Sequence, residues 1–474
     1  MAAVIRLDRN RLAPLLFLPL SALLAGCTQP LGPGYQIRRE TVTVRYDHRA
    51  VAPAVYYSVR AVVRNTGNRP LTMLRIRAPR HNSPAAFAAP SSAGPPGPGS
   101  RPGSLPVPME PPLRRGRSRL IPFGYLVPVR GGGVFLEPED WFPSFLPPHG
   151  LFAHGEPWAR KTEIDIFVPH GYRALTTGRL RLVRQGRPGG ETEYVYEIRG
   201  RDFPPFLLIG QYEEGRIRAR GRDVLFWTRR PFDSGCAQTV ATEAAATATL
   251  YRSLFGGVGK KRGPIRMIEI TPANSAAAQD SDAPIGTVPY GVLFSADTAD
   301  VCRQPHRFFH LVDRDLAATW FGWAVRPEPS ARAILGNGAG DYAALIAEEK
   351  RDGPGARERQ VKDWLAEYDR LASRTRPLAP GNLGLHPTGD QRKLAGIQSA
   401  LCLVALEDRL GAEPVRRALR DLVESLRGRA AGRDELRSAL ERQSGQNLYD
   451  FLNRWFGQAG IPAAFQQRYS AGKN

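Results

Sequence analysis

Two stretches decide how this sequence is read: Leu311-Val312-Asp313-Arg314-Asp315-Leu316-Ala317-Ala318-Thr319-Trp320-Phe321-Gly322, and behind it Ile334-Leu335-Gly336-Asn337-Gly338-Ala339-Gly340-Asp341-Tyr342. The spacing of their apolar residues predicts one helix over Pro305 to Trp323 and a second over Ala331 to Lys350. On the first helix Arg314 and Ala318 stand four residues apart and so share a face, with Asp315 beside them. On the second, Asp341 lies one turn beyond Asn337.

Outward from these two helices, the apolar period differs between the halves of the chain. Before them, Tyr35 to Tyr46, Val55 to Arg77 (broken at Asn65-Thr66-Gly67-Asn68), Thr162 to Val168, Gly178 to Arg184, Thr192 to Arg199 and Phe206 to Ile209 alternate as strands do. Around and after them, Cys236 to Phe255, Arg357 to Ser373, Asp390 to Leu410, Glu413 to Arg427 and Asp434 to Gln443 carry the helical period. Between Pro84 and Pro112, ten of 29 residues are proline, which predicts a flexible insertion over 84–118 without a core of its own. Arg114, Arg115, Arg117 and Arg119 follow it and read as a solvated charge run.

The two quoted stretches resemble the M1 family of zinc aminopeptidases, the gluzincins, whose signature is HExxHxWFG with a third ligand Glu 18 residues after the second His. In that family two His and one Glu hold zinc, and the Glu beside the first His is the general base for the metal-bound water. Here the frame Trp320-Phe321-Gly322 persists, but the positions matching the His ligands are Arg314 and Ala318. The position matching the third ligand is Asn337. Asp315 stands where the family has its general base, and Pro289, in Gly286-Thr287-Val288-Pro289-Tyr290, stands where the family has the Glu that holds the substrate amine. The family's catalytic Tyr lies near a Leu-Gly turn. Leu410-Gly411 matches the turn, but no Tyr occurs between Tyr368 and Tyr449. Phe167-Val168-Pro169-His170-Gly171-Tyr172, Phe206-Leu207-Leu208-Ile209-Gly210, Ser444-Gly445-Gln446-Asn447-Leu448 and Gly460-Ile461-Pro462 extend the resemblance from Tyr35 to Phe465.

Zinc needs three protein donors and one open position. Ala318 offers none, Asn337 offers a neutral amide oxygen, and Arg314 brings a fixed positive charge. At about 4 Å and an effective dielectric near 20, a unit charge beside a dication costs on the order of 8 kcal/mol. That is a large share of the roughly 10 to 16 kcal/mol with which structural zinc is held. The expectation is therefore no metal and no catalytic set at Arg314, Asp315, Ala318, Asn337 and Pro289. Arg314 is expected to pair with Asp341, replacing the metal as the link between two helices. His306 and His310, also four residues apart, lie about 12 Å further back along the helix from the expected pocket, with no base between them.

At the N-terminus, Arg6, Arg9 and Arg11 precede an apolar stretch from Leu12 to Leu24 and then Leu24-Ala25-Gly26-Cys27. This resembles the bacterial lipobox, which implies that Cys27 becomes the acylated first residue of an envelope lipoprotein. Thr28 behind it favours the outer membrane. Cys236, Cys302 and Cys402 then allow one disulfide, with the pairing left open.

The 474 residues are 42% hydrophobic and 23% charged, which excludes global disorder and a small disulfide scaffold. The net charge is +21, and all but seven of the 66 basic residues are arginine. Spread over the whole chain, they do not form the clustered footprint of a nucleic-acid binder, so no nucleic-acid partner is expected. The fold class expected is α+β. A signal peptide (1–26) and a lipidated tether (27–34) precede a β-rich domain (35–225) that carries the insertion, and a thermolysin-like, mostly helical domain (226–474) follows. The function expected is that of an inactive, lipid-anchored pseudopeptidase that binds a peptide or envelope protein. An active hydrolase with a non-standard site and a purely structural envelope protein are the alternatives.

Overall fold

The structure is a computed structural model that describes residues 34–49, 53–77, 104–129, 133–136, 141–142, 144–146, 161–199, 205–258, 263–270, 288, 290–295, 298–383 and 387–470. The signal peptide, Cys27, Pro289 and the first part of the insertion lie outside the described residues.

The N-terminal unit is built from strands β1 (Tyr35–Asp47), β2 (Ala54–Asn65), β3 (Leu71–Arg77), β4 (Ser104–Leu113), β5 (Ser118–Pro128), β6 (Val134–Leu136), β7 (Ser144–Leu146), β8 (Lys161–Pro169), β9 (Arg173–Thr176), β10 (Arg179–Arg184), β11 (Glu191–Arg199) and β12 (Leu207–Gly210). Six of them form one sheet in the order β10-β11-β8-β1-β2-β5, and two three-stranded sheets, β6-β12-β9 and β4-β3-β7, pack beside it. Alternation explains the choice of structure. Val42, Val44 and Tyr46 of β1 and Val55, Tyr57, Val59, Ala61 and Val63 of β2 all turn inward and are buried, while the residues between them remain accessible.

Part of the expected insertion is ordered sheet instead. Residues 104–113 pair with β3, placing Pro106 opposite Arg75 and Pro108 opposite Met73. β4 is the outer strand of its sheet, so prolines two residues apart turn their ring nitrogens to the side that needs no donor. Val107, Met109 and Leu113 are buried, and Ser118 to Pro128 is the edge strand β5 of the large sheet.

The second unit opens with sheet, not helix. β13 (Glu213–Ala219), β14 (Arg222–Thr228), β15 (Ile265–Glu269) and β16 (Gly291–Phe294) form a four-stranded sheet in sequence order, with β14, β15 and β16 parallel. Ala219, Val224 and Phe226 belong to the same core as the helices, so the units divide near residue 212 rather than at 225. The helices are α1 (Ser234–Phe255), α2 (Thr298–Arg303), α3 (Pro305–Ala317), α4 (Ala339–Asp352), α5 (Gly355–Ala372), α6 (Gly389–Leu410), α7 (Ala412–Ser425), α8 (Arg433–Ser444), α9 (Tyr449–Phe456) and α10 (Ala463–Ser470). A short parallel pair, β17 (Val325–Pro327) and β18 (Arg429–Ala431), lies among them. α6 is buried on every side from Leu394 to Glu407, and so forms the axis of the bundle. Asp233 caps α1 by accepting from the amides of Gly235 and Cys236.

A third cluster, which includes Phe135, Phe206, Leu208, Trp227 and Ile268, joins the β6-β12-β9 sheet to β14 and β15. Cys236 at the start of α1 is disulfide-bonded to Cys302 of α2, while Cys402 on α6 is a free, buried thiol that burial pushes well above its ordinary pKa. Among the described residues no helix is long and apolar enough to cross a membrane.

Candidate functional site

α3 carries Asp313, Arg314 and Asp315 in its last turns, and after Ala318 the chain widens into a π turn over Thr319–Ala324. Trp320 is fully buried at that turn and donates its indole N–H to the Gly256 carbonyl at 2.9 Å. This contact anchors the end of α3 to the end of α1. α3 therefore lies under the edge strand β16, and one side chain from α3 and one from the π turn after it hold that strand and the residue before it. Asp315 Oδ2 accepts the amide of Leu293 at 3.0 Å, and Thr319 Oγ1 accepts the amide of Tyr290 at 2.9 Å. Tyr290 holds a φ of 50°, in the left-handed region, with the Arg222 guanidinium 4.6 Å over its ring. The Gly291 amide is taken by the Val288 carbonyl. Both amides of β16 that face away from β15 in this stretch are thus satisfied within the chain.

Asp315 is buried, and burial pushes its carboxyl above the ordinary 3.8 against the lowering pull of Arg314 and of the Leu293 amide. Arg314 Nη2 lies 3.6 Å from Asp315 Oδ1. The pairing expected with Asp341 stays an expectation: the Arg314 charge is felt at the Asp341 carboxyl as well as at Asp315. Asp341 lies in the first turn of α4. Burial raises its carboxyl too, while the charges of Arg314, His310 and Lys393 pull it down.

Ala318 is fully buried and supplies only a methyl group. Asn337 sits in a second π turn, Arg332–Gly338, pressed against α6. A Cβ at Gly396 would stand 3.1 Å from that of Asn337, and one at Gly338 would stand 2.5 Å from that of Ser399. Gly338 is therefore required by the close approach of the two segments, and a side chain at Gly396 would be tight against Asn337. Pro289 lies outside the described residues. A guanidinium, a methyl, a half-buried amide and a carboxylate already bonded to a backbone amide are not a zinc donor set. Among the described residues no group of three or more His, Cys, Asp or Glu is placed to hold a metal ion.

α3 and α4 are linked by charge through His310 and Asp313, with Glu348 and Arg351 as partners to which the sequence pattern assigns no role. His310 Nδ1 lies 2.6 Å from Glu348 Oε1. Burial draws the His310 pKa down, but the hydrogen bond and charge of Glu348, with Asp341 adding, outweigh it and hold the imidazole above its ordinary 6.5. Arg351 donates to Asp313 Oδ2 at 3.0 Å and to Glu243 Oε1 of α1 at 2.6 Å, and Thr247 donates to Asp313 Oδ1 at 2.6 Å. Burial alone lowers the Arg351 pKa, but the two acids raise it by more, so the guanidinium stays charged. His306 is exposed with its ring edge-on to Phe309, so the two histidines do not converge. Further along α4, Tyr342 donates to Glu407 Oε1 of α6 at 2.5 Å, and Glu407 also meets Arg357 and Arg416. Glu348 and Arg351 stand seven and ten residues beyond Asp341, on the same side of α4 or next to it. Charges placed on a face that otherwise carries core residues were the available signal.

This arrangement of an N-terminal β unit and a helical unit built around α3 and α4 is the two-domain fold of the M1 zinc metallopeptidases. Among solved structures, that of a Glu-to-Ala mutant of an M1 zinc metallopeptidase from Deinococcus radiodurans is similar to this chain with a TM-score of 0.60, at 17% identity over 90% of this chain and 96% of that one. The same mutant bound to a Tyr-Ser-Ala substrate gives a TM-score of 0.61 at 17% identity, again over 90% and 96%. The unmutated enzyme gives 0.57 at 16% identity over 90% and 95%. No protein-family model matches the sequence, and no curated protein does.

Proposed function

We infer that this chain is a non-catalytic, M1-peptidase-like lipoprotein of the bacterial envelope, a pseudopeptidase held to the membrane through Cys27, free of zinc by the chemistry of its donor set and acting as a scaffold for a peptide or envelope protein. The observation that carries this reading is the occupation of Asp315. The carboxylate that stands where the family has its general base accepts the Leu293 amide and lies beside Arg314, so it is engaged in holding β16 to α3. Because the outward amides of Gly291 and Leu293 are also taken, strand addition of a peptide to β16 has no donors to use there. Within the proposal this favours scaffolding over peptide capture at the old site.

The test is metal analysis of the purified protein together with hydrolysis of aminoacyl and peptide substrates. Less than a tenth of an equivalent of zinc and no turnover are expected. Stoichiometric, chelator-resistant zinc with turnover abolished by Asp315→Asn would replace this reading with that of an active hydrolase.

A further inference from the structure

We propose that the arginine-lined end of the β unit, where the chain emerges from its path from Cys27, is a contact surface for anionic phospholipid headgroups. The surface is assembled by Asn65. Its buried side-chain amide donates to the carbonyls of Arg69 at 2.8 Å and Leu113 at 2.7 Å, and its Oδ1 accepts the Gly67 amide at 2.8 Å. Its backbone carbonyl accepts from Gly116 and its amide donates to Arg117, both across to the β4–β5 turn. The Gly34 carbonyl, at the start of β1, accepts the amides of Thr66 and Gly67 at 3.0 and 2.8 Å. Asn65 thus ties the β2–β3 turn to the β4–β5 turn, and Thr66 and Gly67 tie the start of the body to the same end of the molecule.

That end exposes Arg69, Arg114, Arg115 and Arg117, and among the described residues none of the four has an ion pair. Arg119 is different, because it folds back on the carbonyls of Glu110 and Pro111. Leu120, just past the turn, is 44% exposed and gives the patch an apolar flank. Four unpaired guanidiniums, each able to take two phosphate oxygens, match headgroup phosphates in geometry as well as in charge. The seven-residue step from Cys27 to Gly34 spans at most about 25 Å. An acyl chain on Cys27 therefore holds this end, rather than the helical unit, within reach of the bilayer surface. The orientation rests on the lipoprotein reading, while the affinity of the patch for anionic lipid does not.

The test uses the full chain carrying Cys27→Ser, bound to vesicles of phosphatidylglycerol mixed with phosphatidylcholine and to vesicles of phosphatidylcholine alone. Each basic residue near an anionic surface contributes enough that reversing three of them weakens binding at least about a hundredfold. Arg114→Glu with Arg115→Glu and Arg117→Glu is expected to lose that much on the anionic vesicles, at an unchanged unfolding midpoint, and to lose nothing on the neutral ones. A control with the same change of net charge, Arg359→Glu with Arg417→Glu and Arg442→Glu on exposed positions of the helical unit, is expected to lose less than threefold. The N-terminal arginines are common to all variants and cancel. Equal losses in the two triple variants would overturn the proposal in favour of diffuse charge, and no loss in the first would overturn it outright. Mass analysis of the N-terminal peptide of wild-type protein isolated from membranes decides the acylation separately. An unmodified Cys27 with the arginine effect intact would sink the lipoprotein reading and leave the patch standing.

Discussion

Asp315 places two opposing demands on the helix that carries it. Its carboxylate is an acceptor that the Leu293 amide and Arg314 both need, yet burial makes its charge costly. Removing the acceptor altogether, as in Asp315→Ala, leaves a buried N–H without a partner, which costs about 1 to 3 kcal/mol. Asp315→Asn keeps an oxygen for Leu293 and removes the ionisation. Its expected loss at pH 7 is below about 1 kcal/mol, read as a shift of the urea midpoint at unchanged slope. The sign with pH follows from the raised carboxyl. The unfolded chain ionises near 3.8 and the folded one at higher pH, so the stability associated with this group is complete below 3.8 and is lost as pH rises through the folded value. The Asn variant should lack that part of the pH dependence. An Ala variant as stable as wild type would show that Asp315 does not hold β16. Arg314, Ala318 and Asn337 already lack a zinc donor set by residue type, which was legible in the sequence. The new role of Asp315 was not, because its main partner is a main-chain amide, which leaves no trace in side-chain spacing.

At the scale of elements, β1 and α3 carry titrating groups whose environments decide how each element responds to pH. Glu40 of β1 is buried with the hydroxyl of Thr162, at 3.4 Å, as its hydrogen-bond partner among the described residues, and burial pushes its carboxyl from 4.5 up to about 8. Its contribution is present in full below 4.5 and declines as pH rises toward 8, so at pH 7 the fold forgoes on the order of 3 kcal/mol there. Glu40→Gln is expected to raise stability at pH 7 and to match wild type near pH 4, measured by urea unfolding at the two pH values. A variant less stable than wild type at pH 7 would contradict this. On α3 the raised His310 works in the same direction for a different reason. Its attraction to Glu348 is complete below 6.5 and is lost as pH rises through the folded value, with Asp341 and Arg314 as the other charges facing it. Glu348→Gln should flatten the decline in stability above pH 6.5 relative to wild type, and an unchanged slope would remove the pair from the account. The seven longest helices were legible from their period, and so were β1, β2, β3, β8, β10, β11 and β12. β4 was misread because its proline content outweighed the alternation of Leu105, Val107 and Met109. Proline excludes a central strand but not an outer one.

At the scale of the whole molecule, the question is what makes two units with separate cores behave as one body. Their order along the chain was legible, as was the family frame around Trp320. The joint was not, because Phe206, Leu208, Trp227 and Ile268 come from segments far apart in sequence, and no local period announces that they meet. Assigning β13 and β14 to the first unit hid the joint further, since Trp227 is on β14. The cluster is buried throughout, with Phe206 1% exposed. Phe206→Ala removes about 3 to 5 kcal/mol of packing at that point, more than most single contacts between the units supply. The wild-type chain is expected to unfold in one calorimetric transition, because opening the joint exposes apolar surface on both sides at once. In Phe206→Ala the transition is expected to split into two, the helical unit being held in addition by the Cys236–Cys302 bridge, whose 66-residue separation is worth about 4 kcal/mol by loop entropy. Reduction of that bridge should lower only one of the two transitions. A single transition in Phe206→Ala, shifted but not split, would mean that the units are coupled through contacts other than this cluster.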